Sequence, residues 1–446
     1  MHKYSHIFND IERQIENGHI RSGQKLPSIR ELSITYSCNK STVIRAYTEL
    51  EKRHLIYSIP QSGYYAVQKR TDAFHPAEHL VYDFSSGAPD PELFPYLDFK
   101  HCINKAIDTY KNDLFVYGTP QGLPSLLKVL TKHLANYQVF TNPSNIHVTS
   151  GVQQALSVLA LMPFPNGKRG VLLEQPSYYL FIRLLEMYQI PAFGITRTAS
   201  GIDLDELERI FRTEDIKFFY TMPRFHNPLG SSYSEQTKKA IAQLAKRYDV
   251  YIVEDDYLAD LENDTKSDPI FAYASNHVVY LKSYSKILFP GLRVGAAVLP
   301  TDLTLTFSNY KKLSDIDSSM LSQAALEIYI QSGMFERRKR KIRDSYSRRL
   351  MHLNKSLLAN SDTVYLSPSE VTSGVYTHII VPAQLHIPTL LDRLRKKRVI
   401  LQDLQPYYLS AFGAEHLLSL SVTQVSEERI EAGVRLIADE IKRMLG

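Results

Sequence analysis

Between residues 146 and 300, short apolar runs alternate with helical stretches, and this alternation constrains the fold more than any other feature of the chain. The runs are IHVTS (146–150), GVLLEQP (170–176), FFYTMP (218–223), VYIVED (250–255), VVYLKS (278–283) and GAAVLP (295–300). Strands that are apolar throughout are buried on both faces, which requires helices above and below the sheet. SEQTKKAIAQLAKRYD (234–249) has the helical period such a cover needs. The expectation is a mainly parallel sheet with its ligand at the carboxyl ends of the strands.

Unusual polar residues fall at those ends. Ser150-Gly151-Val152-Gln153 follows a strand and opens a helix, so free backbone N–H groups and the positive helix end face one point suited to a phosphate. Tyr178 follows the next strand and could cover a planar ring, and PRFHNPLG (223–230) supplies Asn227. In VEDDY, Asp255 and Tyr257 are two apart and share a face, while Asp256 points the other way. SYSKILFPGLRVG (283–295) sets Lys286 and Arg293 about a Pro-Gly turn, with Ser283 and Ser285 beside the lysine. A lysine amine for a Schiff base, a carboxylate for a pyridine nitrogen and an anion cradle are the parts a pyridoxal phosphate site requires.

The first seventy residues differ in kind. They hold 11 Lys+Arg and 6 Asp+Glu, an excess of +5 that equals the whole chain's net charge of +5. A basic module on a neutral body suggests a polyanion partner. Ile7, Phe8, Ile11 and Ile15 form a helix stripe that ends at Asn17-Gly18. Ser28 and Glu31 form a capping box for a second helix, SIRELSITYS. After a turn at Cys38-Asn39-Lys40, a third helix, STVIRAYTELEKR, buries Val43, Ala46, Tyr47 and Leu50 and presents Lys40, Thr42 and Arg45. HLIYSIPQSGYYAV then reads as a hairpin around Pro60-Gln61-Ser62-Gly63.

LPSIRELS, STVIRAYTELE and SGYY stand at the spacing of the winged helix-turn-helix head of GntR-type bacterial transcription regulators, which this stretch resembles. The resemblance implies that the third helix enters the major groove and the wing glycine approaches the minor groove, with Arg30, Lys40, Thr42, Arg45 and Gly63 as contacts to double-stranded operator DNA. Residues 82–446 resemble fold-type I aminotransferases, with a large mainly parallel-sheet domain and a small C-terminal α/β domain. The fusion of the two resembles the MocR-type regulators. Carried over, Lys286 matches the Schiff-base lysine and Asp255 the partner of the pyridine nitrogen. Tyr257 and Asn227 match donors to the phenolic oxygen, and Tyr178 matches the ring-stacking aromatic. Val152 and Gln153 amides, Ser283, Ser285 and Arg293 match the phosphate cradle. Tyr117 in YGTPQG matches a residue that reaches the neighbouring subunit's phosphate, which implies a homodimer with shared sites.

One position departs from the enzyme pattern. Counting back from Val425-Ser426-Glu427 in LLSLSVTQVSEERIEAG puts Ser419 where aminotransferases carry an arginine that clamps the substrate carboxylate. Loss of that clamp puts efficient transamination in doubt. Arg183 and Arg224 are alternatives from other loops, better read as ion-pair residues. The expected function is a pyridoxal phosphate-dependent transcription regulator that senses an amine, amino acid or vitamin B6 form through the Schiff base at Lys286. The rivals are a working aminotransferase with an attached head and a dimerisation scaffold that senses nothing.

The expected organisation is a DNA-binding domain over 1–67, a linker over 68–81 and an aminotransferase-like domain over 82–446, whose small part begins near 361 with VYLSPS and GVYTHIIVP as strands and SEERIEAGVRLIADEIKRML as a closing helix. Charges in Arg337-Arg338-Lys339-Arg340-Lys341 should spread around a helix rather than form one patch. Cys38 and Cys102 read as structural thiols, and no metal site is expected. The absence of an 18-residue apolar run and the charged amphipathic start predict a cytoplasmic protein with no membrane partner.

Overall fold

The computed structural model describes residues 3–21, 23–53, 55–59, 61–67, 81–262, 267–360, 371, 373–413 and 416–445. The expected linker, apart from Val81, and the expected strand VYLSPS lie outside the described residues. Two compact units emerge, Met1–Leu80 and Val81–Gly446.

The first unit contains helices α1 (Lys3–Glu16), α2 (Ile29–Thr35) and α3 (Lys40–Lys52), followed by strands β1 (Ile56–Ile59) and β2 (Gly63–Ala66) paired antiparallel. Its helix boundaries follow from local chemistry. Ser28 Oγ accepts from the Glu31 amide, and the Glu31 carboxylate accepts from the Ser28 amide at 2.6 Å, so the box closes both ways. α1 buries Ile7, Phe8 and Ile11 against Val43, Ala46, Tyr47 and Leu50 of α3. The Tyr47 hydroxyl donates to Pro27 O at 2.5 Å, tying α3 to the turn before α2. Burial of a large aliphatic or aromatic side chain contributes about 1.5–3 kcal/mol, so this core supports the three-helix frame.

In the second unit β3 (Tyr82–Asp83) precedes helices α4 (Tyr96–Tyr110) and α5 (Pro124–Ala135), both packed on the helix Met320–Gln331. The large sheet takes strands β4 (Ile146–Thr149), β5 (Gly170–Gln175), β6 (Ala192–Thr196), β7 (Ile216–Thr221), β8 (Tyr251–Asp255), β9 (Val278–Ser283) and β10 (Gly295–Val298) in the order β4-β10-β9-β8-β7-β5-β6. All run the same way except β10, which is antiparallel to β4 and β9. β6 was not among the expected runs. It is an edge strand whose residues are mostly half-buried, so its apolar signal is diluted.

Helix α6 (Val152–Leu161) leaves directly from β4, and Ser234 caps the helix Glu235–Tyr248. The C-terminal layer pairs β11 (Tyr376–Ile380) with β13 (Leu417–Ser421) antiparallel, with His378 opposite Ser419. β12 (Val399–Ile400) pairs in parallel with β3, so the residues that open the unit join its C-terminal layer. Helix Glu427–Leu445 packs on the long helix Met334–Ala359. In that long helix Arg338 is buried against Ile287 O, Lys339 pairs with Glu336, and Arg337, Arg340 and Lys341 are exposed, so the basic run is split around the axis. Among the described residues, no helix is long and apolar enough to cross a membrane.

Candidate functional site

A cavity of about 320 Å³ opens at the carboxyl ends of the central strands. Its wall brings together Lys286, Asp255, Tyr257, Asn227, Tyr178, Val152, Gln153, Ser283, Ser285 and Arg293. These residues span 142 positions in sequence, and the parallel strands deliver them to one point because each strand ends at the same edge of the sheet.

Asp255 is the last residue of β8 and is buried. Its Oδ2 accepts from the Tyr220 hydroxyl at 2.8 Å, while its Oδ1 has no hydrogen-bond partner. Burial pushes the carboxyl up to about 7, against the pull of the Tyr220 hydrogen bond and the Lys286 charge. Asp256 turns the opposite way and pairs with Arg224. Lys286 Nζ donates to Gly87 O, and burial brings the ammonium down to about 8, with Asp255 working in the other direction. An amine near 8 is neutral far more often at physiological pH than an exposed lysine, as a nucleophile must be.

The anion end is built from backbone. Gly151 has φ +88, and a Cβ there would lie 3.0–3.3 Å from the Arg293 guanidinium, so glycine is required where the turn enters α6. Arg293, itself left-handed at φ +53, donates from Nη2 to Ser150 O at 2.5 Å. The Ser285 amide donates to Ser283 Oγ at 3.2 Å, which turns the loop after β9 back toward the same point. Tyr178 stands just before the helix Tyr179–Met187, and burial pushes its phenol up to about 12. The Tyr257 hydroxyl donates to Phe225 O at 2.8 Å, within the loop that carries Asn227.

Sequence reasoning missed the groups that hold these side chains in place. Tyr220 points from β7 to Asp255, and nothing local distinguishes it from the other apolar residues of its run. Glu174 is fully buried, and its Oε1 accepts from Arg197 at 3.1 Å, Thr221 at 2.8 Å and Tyr233, while its Oε2 accepts from the Met222 amide at 2.9 Å. Burial opposes its ionisation, yet Arg197 and His226 outweigh that and hold it at about 2. The charge ties the end of β5 to the end of β7 and to the loop before Asn227. An acidic residue inside an otherwise apolar strand was the available signal.

Ser419 is buried on β13, and its hydroxyl donates to Pro228 O at 2.9 Å. The cross-strand His378 Nδ1 bonds Leu229 O at 2.8 Å. Both side chains are thus spent on the loop that carries Asn227. Arg183 is exposed and pairs with Glu186, whereas Arg224 is buried and donates to Asp256 and Ser267 O. Tyr117 does not line the cavity of its own chain; it is 80% exposed, next to exposed Phe115 and Val116. The described residues contain no cluster of three or more His, Cys, Asp or Glu able to hold a metal.

In the N-terminal unit, Lys40, Thr42 and Arg45 lie on α3, with Lys40 and Arg45 exposed and Thr42 half-buried. Arg30 is exposed in the first turn of α2. Gly63 begins β2 with φ +116, a conformation that suits glycine, and the Lys25 side chain approaches it. The Arg45 guanidinium lies 4.2 Å from the centre of the Tyr4 ring, a cation–π contact between α3 and α1.

Comparison with known proteins agrees with both halves. The profile described as aminotransferase class I and II matches residues 81–437, and the one described as bacterial regulatory proteins, gntR family, matches residues 3–65. The chain is 53% identical to the uncharacterized HTH-type transcriptional regulator YcxD of Bacillus subtilis (strain 168), over 99% of this chain and 100% of that protein. It is 26% identical to the 2-aminoadipate transaminase of Thermus thermophilus, over 82% of this chain and 91% of that protein. The crystal structure of Pyrococcus horikoshii kynurenine aminotransferase superposes with a TM-score of 0.74 at 25% identity, covering 83% of this chain and 92% of that one.

Pyridoxal 5'-phosphate is the cofactor of that aminotransferase fold, and the residues present fit it. The unpartnered Asp255 Oδ1 is an acceptor awaiting a donor, Lys286 stands in the same cavity, and the Gly151 turn beside Arg293 forms an anion cradle. The chain therefore belongs to the class I and II aminotransferase family through its body and to the gntR family of bacterial regulatory proteins through its head, the combination that defines a MocR-type transcription regulator.

Proposed function

We propose that this protein is a homodimeric, cytoplasmic transcription regulator that binds operator DNA through residues 1–67 and carries pyridoxal phosphate on Lys286 within residues 82–446, joined by a linker over 68–81. Its small-molecule ligand is an amine, an amino acid or a vitamin B6 form. The observation that carries this reading is the buried, unpartnered Asp255 Oδ1 in one cavity with Lys286, in a chain whose other unit is a winged helix-turn-helix.

When bound, the cofactor supplies a carbonyl carbon that takes up primary amines and a ring that withdraws electrons. Lys286 would anchor it, and Asp255 would hold a proton on the ring nitrogen. Tyr178 would cover the ring, with Tyr257 and Asn227 facing its phenolic oxygen. The Val152 and Gln153 amides, Ser283, Ser285 and Arg293 would hold the phosphate, joined by the partner subunit's Tyr117. At the DNA, Arg30, Lys40, Thr42, Arg45 and Gly63 would make the contacts.

Ser419 favours regulation over turnover, since its hydroxyl is bound to Pro228 O and offers no cation for a substrate carboxylate. Signalling requires the ligand to favour one arrangement of the body, and a coupling of about 1–3 kcal/mol to DNA affinity is typical. The test measures operator affinity by anisotropy while candidate ligands are titrated into full-length protein, alongside Lys286→Ala. A ligand that shifts wild-type affinity about 5- to 150-fold and leaves Lys286→Ala unmoved supports the reading. Steady transamination of an amino acid with an oxo acid, with operator affinity indifferent to every ligand, would replace it with the enzyme.

A further inference from the structure

Beside the cofactor cavity lies a second one of about 550 Å³, and the two share Tyr178, Asn227 and Lys286 as a common wall. A molecule seated there would meet the cofactor from the lysine side. The remaining wall is neutral: Ser85, Ser86, Tyr179, Tyr376, Gln402 and Tyr407 supply hydroxyls and an amide, with Leu180 and Leu401 as the apolar contribution. Burial pushes the phenols of Tyr376 and Tyr407 upward, so they stay protonated and act as hydrogen-bond partners without charge.

Lys286 is the only cation that lines this cavity among the described residues, and in the regulatory reading above its amine anchors the cofactor. The buried arginines of the body are engaged elsewhere. Arg197 is bound to Glu174, Arg224 to Asp256, Arg338 to Ile287 O, and Arg349 to Asp90, Val422 O and Thr423 O. The strand position that would offer a guanidinium is Ser419, with its hydroxyl on Pro228 O. A carboxylate placed in this half-open cavity gives up part of its hydration and finds no opposite charge on the wall in return, which is unfavourable. An aromatic or hydroxyl-bearing amine loses little, because tyrosine rings and hydroxyls replace its water contacts.

Resting on the regulatory reading above, the geometry points to a primary amine that lacks a carboxylate as the ligand of this second cavity. The amine end meets the cofactor side at Lys286, and the neutral remainder lies among Tyr179, Tyr376 and Tyr407.

The test uses matched pairs that differ only by the carboxylate, tyramine against tyrosine and ethanolamine against serine. Binding to the full-length, cofactor-loaded protein is measured by calorimetry, and operator affinity is followed in the same samples. At least tenfold tighter binding of the amine in a pair is expected. Equal or tighter binding of the amino acids, or no measurable binding of either amine, overturns the inference. Gln402→Arg adds a guanidinium to the wall without touching Lys286 and should cut the amine preference at least threefold; a preference untouched by that charge also overturns it. An amine that binds as expected but leaves operator affinity unchanged would refute the sensing role while the ligand class stands.

Discussion

Helix α3 and the cofactor cavity are both candidates for holding phosphate, yet they solve the problem in opposite surroundings. On α3 the cations Lys40 and Arg45 are exposed, so each acts in high dielectric and under salt screening. In the cavity, Asp255 is buried and Lys286 enclosed, and each moves the other's protonation. Contacts of the first kind are individually weak and summed; contacts of the second kind are few, and removal of one leaves its partner stranded. The comparison predicts graded losses in the head and abrupt ones in the body.

The largest effect should come from Glu174→Ala. Breaking a buried pair leaves Arg197 uncompensated, and a loss of about 3–5 kcal/mol in unfolding free energy is expected. Because the folded carboxyl sits at about 2, below its ordinary value of 4.5, its contribution is present above pH 4.5 and is lost as pH falls through about 2. The gap between wild type and variant should therefore narrow between pH 5 and pH 2.5 in denaturant melts; a gap independent of pH would break the comparison on the body side.

Next comes Asp255→Asn, which removes the charge from the acceptor facing the cavity. A charged buried hydrogen bond contributes about 1.5–3 kcal/mol, so cofactor affinity should fall roughly 10- to 100-fold by equilibrium dialysis while the melting temperature stays close to wild type. Unchanged affinity would remove Asp255 from its assigned role. The smallest and most salt-dependent effect belongs to the head. Arg45→Ala should weaken operator binding and lower the slope of log affinity against log salt by about 1, read from binding at several salt concentrations. A salt-independent loss of more than a thousandfold would place Arg45 among groups of the buried kind.

Legibility followed the same division. The head was readable because its signals are local: the Ser28 and Glu31 box closes within four residues, and the stripe of Ile7, Phe8 and Ile11 repeats with the helix. The cavity residues were readable as types at strand ends, since parallel strands carry their terminal polar residues to one edge. Their supports were not. Tyr220 reaches Asp255 across 35 positions, and Ser419 reaches Pro228 across 191, distances over which no local pattern carries information.

The helices and hairpin of the head, the covered sheet apart from its edge strand β6, and the identity of the chemical groups at strand ends were fixed by the chain's own periodicity and spacing, because burial and helix capping act over a few residues. Only the tertiary structure decided which of those groups has a partner. It left one oxygen of Asp255 unsatisfied, spent Ser419 on a loop carbonyl and bound the buried Arg197 and Arg224 to Glu174 and Asp256. Hydrogen bonds and ion pairs close over a few ångströms between segments far apart in sequence, so satisfaction of charge is a property of the packed molecule.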